Sequence, residues 1–233
     1  AFIAEGELSE KWSTGDQAGI AIRDQLFSNL FDSYKRENYA ENTTVQVGVT
    51  LADVIFDKQN DIMDSRVWLQ LSWTDNRFAW NEAEFPVSVL RVPAEKIWRP
   101  DVFLYNRAKP SLNCYAANAL VYPNGKIWWE PACRLQTYCN LTLASAPYDE
   151  QTCAMRFGSR TFDGAMMGLE LWEQGNSTLA DVSYFINQKY RITKNEAIKE
   201  EEFYGCYMEP CHTVLFTLGF QRVFEGGPTC ANH

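Results

Sequence analysis

Cysteine, histidine and aromatic side chains carry most of the chemistry open to this sequence. Cys139 and Cys153 enclose thirteen residues with a Pro147-Tyr148-Asp149 centre, a spacing suited to an oxidative cross-link. A bridge closing such a loop contributes roughly 3 kcal/mol by constraining the unfolded chain. Cys206, Cys211 and His212 offer two sulfurs and an imidazole, but a structural zinc takes four ligands, so no metal is expected there. The two cysteines are expected instead to bridge each other around Tyr207, Met208, Glu209 and Pro210. The only histidines are His212 and His233. No Gly-x-Ser-x-Gly, His-Glu-x-x-His or phosphate-binding glycine loop occurs, so neither an enzyme nor a cofactor is expected.

What is abundant is aromatic surface: 8 Trp, 11 Tyr and 14 Phe in 233 residues. Ring faces carry a negative quadrupole that attracts cations, and cages of them bind quaternary ammonium groups. The competing use of the same rings is core packing. A net charge of −9 argues against a nucleic-acid partner, which requires Lys and Arg to displace phosphate counterions. An acidic field attracts cations instead.

Seven cysteines, together with Asn-x-Ser/Thr sequons at Asn42, Asn140 and Asn176, suit an oxidising, extracellular compartment and a secreted chain. Six cysteines pair in 15 ways, which sequence alone leaves open. Position makes Cys230 the expected odd one. No apolar run is long enough for a membrane span, and the first residues lack the features of a signal peptide.

The elements that would position these groups are legible from periodicity. Apolar residues Ile20, Ile22, Leu26, Phe27, Leu30 and Phe31 recur at helical spacing over residues 16–34, with Asp16 as a candidate cap. Beyond them Val45, Val47 and Val49 alternate with polar residues, as do Val67, Leu69 and Leu71, and short apolar runs continue between Pro, Gly, Asn and Asp. This pattern predicts an all-β sandwich. Tyr122-Pro123-Asn124-Gly125-Lys126 is a hairpin signal. With Tyr122 facing Gly125, Cys114 and Cys133 fall opposite each other and within reach of a cross-strand bridge. Glu200, Glu201 and Glu202 read as solvated charges at a strand end. One domain over 1–233 is expected: helix 16–34, sandwich 43–222 and a polar tail 223–233.

The Cys139 to Cys153 loop, Trp98-Arg99-Pro100-Asp101, the Trp68-Leu69-Gln70-Leu71-Ser72-Trp73 strand and the Phe203-Tyr204-Gly205-Cys206 turn together resemble the extracellular domain of the Cys-loop ligand-gated channels. The resemblance covers the chain from the first helix to about Arg222. Among members without membrane segments it is similar to the soluble acetylcholine-binding proteins. It implies an N-terminal helix over an immunoglobulin-like sandwich of about ten strands, assembled head to tail as a homopentamer. It also implies a small amine ligand held between subunits. Tyr105, Thr161, Tyr204 and Tyr207 would lie on the principal face, and Trp68, Leu120, Trp128 and Glu130 on the complementary face.

Two departures bear on that ligand. Gly158-Ser159-Arg160-Thr161 places Arg160 where nicotinic members carry a cation-binding tryptophan. A guanidinium there repels an ammonium unless it swings out, pairs with Glu130 or selects a zwitterionic or anionic ligand. The family's adjacent cysteine pair is here Cys206-Tyr207, with Cys211 in the place of a further tyrosine. Ala146-Pro147-Tyr148-Asp149 approximates the receptor loop, so a channel subunit's extracellular domain is the alternative to a secreted binding protein. A pentameric scaffold with a decayed site is the third reading.

Overall fold

A computed structural model describes residues 15–37, 42–109, 113–141, 150–173, 175, 177–203 and 209–223. One α-helix, a short 3-10 turn at Ala94–Lys96 and twelve strands in two sheets occur among these residues, which matches the all-β sandwich expected, with two more strands than the approximate figure.

The helix α1 (Gly15–Asp32) docks one side on the sandwich. Leu26 is fully buried, and Ile22, Phe27, Leu30 and Phe31 pack against the core, while Ile20 faces outward. Asp16 falls inside the helix and not ahead of it. The exit from the helix is pinned by Tyr34, whose hydroxyl accepts the Trp98 amide at 2.7 Å. Its ring lies 4.5 Å from that of Phe78.

The larger sheet is centred on two long strands, β1 (Thr43–Asp57) and β2 (Ile62–Ala79), paired antiparallel. Val45, Val47, Val49 and Leu51 of β1 and Val67, Leu69, Leu71 and Trp73 of β2 are buried, so alternation sends the intervening residues to the opposite face. The sheet also contains β3 (Leu90–Pro93), β5 (Asn113–Cys114), β6 (Asn118–Val121), β7 (Asn124–Trp129), β8 (Ala132–Tyr138) and β10 (Met167–Leu171). The second sheet runs in the order β11 (Tyr190–Glu202), β12 (Cys211–Arg222), β9 (Glu150–Ser159) and β4 (Val102–Leu104). Phe157, Val214, Phe216, Leu218 and Phe220 complete the core from that side.

Both expected bridges with described partners are formed. Cys114 and Cys133 are direct cross-strand partners in β5 and β8. Cys139, just past β8, joins Cys153 in β9 and so ties the larger sheet to the smaller one. Cys211 is buried at the start of β12, whereas Cys206 and Cys230 lie outside the described residues, as do residues 142–149.

The hairpin differs from the expected register by one residue. Tyr122 pairs with Lys126, not Gly125: its amide donates to the Lys126 carbonyl at 2.9 Å, and the Gly125 amide donates back to the Tyr122 carbonyl at 2.9 Å. Gly125 has φ 78°, the left-handed residue of a three-residue loop. A Cβ there would lie 2.8 Å from the Asp75 carbonyl oxygen, so glycine is required twice over. The one-residue offset is absorbed before Cys114, where the Ala117 amide bonds the Tyr115 carbonyl at 2.9 Å in a tight kink.

Glu200 to Glu202 are also not merely solvated. Glu200 and Glu202 both pair with Arg156 of β9, and Glu201 with Lys199 at 3.1 Å. Charges at the end of β11 are therefore used to join it to β9 across β12.

Candidate functional site

One group of expected residues is gathered on the outward face of the larger sheet. In the registered ladder Leu120 pairs with Trp128, and Trp128 with Ser72. Ser72 stands two places after Gln70 and four after Trp68, all on the side of β2 opposite its buried leucines. Gln70 links the set. Its Nε2 donates to Glu130 Oε1 at 3.0 Å and to Thr50 Oγ1 at 3.1 Å. Trp68, Leu120, Trp128 and Glu130 thus share one half-buried face, held by β2, β6, β7 and the residue following β7.

Two aromatics that sequence reasoning passed over extend this face. Trp172, just after β10, stacks on Trp128 with ring centroids 5.8 Å apart and planes 19° apart. Tyr184 meets Trp68 edge to face at 5.7 Å. The Trp172 amide donates to the Val47 carbonyl at 2.8 Å, a tertiary attachment with no local sequence signature. The indole N–H of Trp128 is buried and has no acceptor among the described residues. Trp128, Trp172, Tyr122, Lys126 and Glu82 line a cleft of about 580 Å³, within the range of small-molecule sites.

The second group is built on the smaller sheet. Tyr105 follows β4 and lies against the backbone of β9. A Cβ on Gly158 would stand 2.6 Å from the Tyr105 ring, so this glycine is what lets the ring approach. The Tyr105 hydroxyl donates to the Ser159 carbonyl at 2.5 Å. Burial pushes the phenol pKa up, as do Cys211 and Asp101, while the positive charges of Arg160 and Arg156 oppose the shift. Arg160 therefore lies close enough for its charge to act on Tyr105, although its side chain is exposed.

Asp101 organises the turn that carries Arg160 and Thr161. Its Oδ1 accepts the Ser159 hydroxyl at 2.6 Å; its Oδ2 accepts the Arg160 amide at 3.2 Å, the Thr161 amide at 3.0 Å and the Thr161 hydroxyl at 2.7 Å. Ser159 Oγ in turn accepts the amides of Thr161 and Phe162 at 3.2 Å and 2.9 Å. The Trp-Arg-Pro-Asp motif was visible in sequence, but the role of its aspartate depends on an approach across 58 residues.

The two groups are thus mounted on different sheets of one chain. Tyr204 and Tyr207 fall outside the described residues, as does Asn176. Asn42 and Asn140 are exposed. No cluster of His, Cys, Asp and Glu suited to a metal ion occurs among the described residues, and none of their helices is long and apolar enough to cross a membrane.

Residues 21–224 match the family model described as the neurotransmitter-gated ion-channel ligand binding domain. The chain is 30% identical over 219 residues to neuronal acetylcholine receptor subunit beta-3 of Gallus gallus, covering 89% of this chain and 48% of that one. It is 32% identical over 230 residues to acetylcholine receptor subunit alpha-type acr-16 of Caenorhabditis briggsae, covering 95% and 43%. With acetylcholine receptor subunit beta-like 1 of Drosophila melanogaster it shares 35% identity over 161 residues, covering 66% and 31%. The chain therefore spans less than half the length of each of these relatives.

Proposed function

Because this chain belongs to the neurotransmitter-gated ion-channel ligand-binding domain family, we propose that it binds a small amine or related neurotransmitter-like ligand, without catalysis, between the subunits of a homopentamer. The observation that supports this reading is that the two groups of expected residues are mounted on different sheets. Such a chain completes a site by presenting one face to each neighbour, a head-to-tail contact that closes into a ring.

In this reading Tyr105, Arg160 and Thr161 belong to the principal half, with Tyr204 and Tyr207 from the cysteine turn. Trp68, Leu120, Trp128 and Glu130 form the complementary half. The rings supply faces for a cation. Arg160 supplies the selection: its guanidinium disfavours a bare ammonium held against it and favours a ligand that also carries a carboxylate.

The chain is read as secreted and extracellular. The extracellular domain of a channel subunit is the second reading, favoured by the receptor subunits among its relatives, of which it covers 31% to 48%.

Native mass spectrometry tests the assembly, and a monomer at micromolar concentration would overturn it. Calorimetric titration tests the site, first with acetylcholine and nicotine, then with glutamate, glycine and γ-aminobutyrate. Binding in either series that weakens on Trp68→Ala, by about 1–2 kcal/mol for a desolvated cation–π contact, supports the proposal. Silence in both series, or affinity unchanged by that substitution, removes this face from ligand binding.

A further inference from the structure

We infer that the chain carries a second small-molecule site, selective for carboxylates on an apolar body, in the cavity where Arg36 and Arg99 converge. The cavity has a volume of about 460 Å³, which falls inside the range of small-molecule sites. Its apolar wall includes Leu69, Leu71, Val102 and Trp129. Leu69 and Leu71 point to the core side of β2, opposite Trp68 and Gln70. The cavity is therefore separated by the sheet itself from the face that carries Glu130 and Trp128.

Its polar side is unbalanced. Arg36 donates to the carbonyl of Glu95 at 2.7 Å, a neutral acceptor that leaves its charge uncompensated. The Arg99 guanidinium lies 5.1 Å from the centroid of the Trp129 ring, and neither arginine forms an ion pair among the described residues. Asp101 borders the same cavity; its two oxygens accept four bonds, all from neutral hydroxyls and main-chain amides of residues 159–161, so it keeps its negative charge and the polar lining sets two guanidinium groups against one carboxylate. Burial and the nearby charge of Arg36 both lower the pKa of Arg99, with Glu95 opposing them. Two exposed guanidinium groups, against one carboxylate, thus edge one partly enclosed space with an apolar wall.

A ligand carboxylate relieves that repulsion and matches the planar fork of a guanidinium, which ammonium and neutral groups do not. The cation–π contact with Trp129 already holds the Arg99 head near the cavity before a ligand arrives, so less side-chain entropy is lost on binding. The apolar wall accommodates a hydrocarbon or aromatic body, which distinguishes the expected ligand from a bare inorganic anion. Arg99 takes no part in the subunit-interface site proposed above, so the two sites stand or fall separately.

Calorimetric titration of the full chain with 4-phenylbutyrate and with its neutral amide tests the inference. The acid is expected to bind at least tenfold more tightly than the amide. Arg99→Gln and Arg36→Gln are each expected to reduce that preference at least fivefold, with near-UV circular dichroism unchanged. Arg99→Lys, which keeps the charge but not the fork, should retain an intermediate preference and serves if a glutamine variant fails to fold. Equal binding of acid and amide by the wild-type chain, or a preference that survives both glutamine substitutions, overturns the assignment.

Discussion

Ser159 donates its hydroxyl proton to Asp101 at 2.6 Å across 58 residues of sequence, and this bond joins the end of β9 to the residue just before β4. The Arg160–Thr161 turn takes its shape from that junction. Asp101→Ala removes four accepted bonds and leaves the nearly buried Ser159 hydroxyl without its acceptor. Loss of such a partner costs about 1–3 kcal/mol. Urea unfolding should show a loss in this range, and amide exchange at Arg160 and Thr161 should accelerate relative to the core strands. Unchanged exchange at those two amides would mean that the turn is held by other contacts.

Gly158→Ala places a methyl group 2.6 Å from the Tyr105 ring. Neither the β9 backbone nor a ring held by the Ser159 carbonyl yields easily, and overpacking of this kind costs about 1–3 kcal/mol. The expected result is a less stable protein whose Tyr105 phenol titrates closer to an ordinary tyrosine, as its burial is relieved. Ultraviolet titration against a Tyr105→Phe reference isolates that group. A phenol that titrates as before would show that the ring stays in place.

The Cys139–Cys153 bridge closes a loop between residues 14 apart. The paired substitution Cys139→Ser with Cys153→Ser should lower stability by roughly 3 kcal/mol on the chain-entropy estimate. The corresponding pair at Cys114 and Cys133 crosslinks two strands of one sheet, so its removal should leave contacts between the sheets intact. Comparing exchange at the β8 and β9 amides in the two variants tests this difference, and equal effects would argue that neither bridge couples the sheets.

Acid should loosen the β2–β8 pair. Burial alone would raise the pKa of Asp64, but hydrogen bonds from Arg134 and Gln136 outweigh it and hold the pKa below its usual value. A carboxylate with a depressed folded pKa adds stability above its unfolded pKa, about 3.9, and loses it as pH falls through the lower folded value. Asp64→Asn should therefore remove a component of the pH dependence below about pH 4, leaving the pH 5 to 7 plateau flat. Chemical denaturation at stepped pH measures both arms, and an unchanged acid slope in the variant would contradict the assignment.

The sandwich was legible because alternation is a local signal. Val45 to Leu51 and Val67 to Trp73 are each written with period two and are buried as written. The Cys114–Cys133 contact was reached from the hairpin although the hairpin register was one residue off. The error arose because Gly125 forms the left-handed third residue of its loop, and the kink at Tyr115 to Ala117 restored the pairing further out. That Trp68, Leu120, Trp128 and Glu130 would share a face was legible through family motifs alone. Trp172, Tyr184 and the bonding of Asp101 were not, because each depends on segments that are distant in sequence and meet only after the sheets pack. The use of Glu200 and Glu202 by Arg156 was hidden for the same reason, with β12 lying between them.

The Asp101 frame also bears on substitution at residue 160. It grips residue 160 by its main-chain amide, a group that almost any amino acid supplies, and takes its side-chain partners from Ser159 and Thr161. The bond from residue 160 to Asp101 thereby does not depend on which side chain stands there. On the proposed reading of Arg160, an exchange at this position alters the charge offered to a ligand while the bonds that Asp101 accepts from residues 159–161 are still on offer, so ligand preference can change without a change in those bonds.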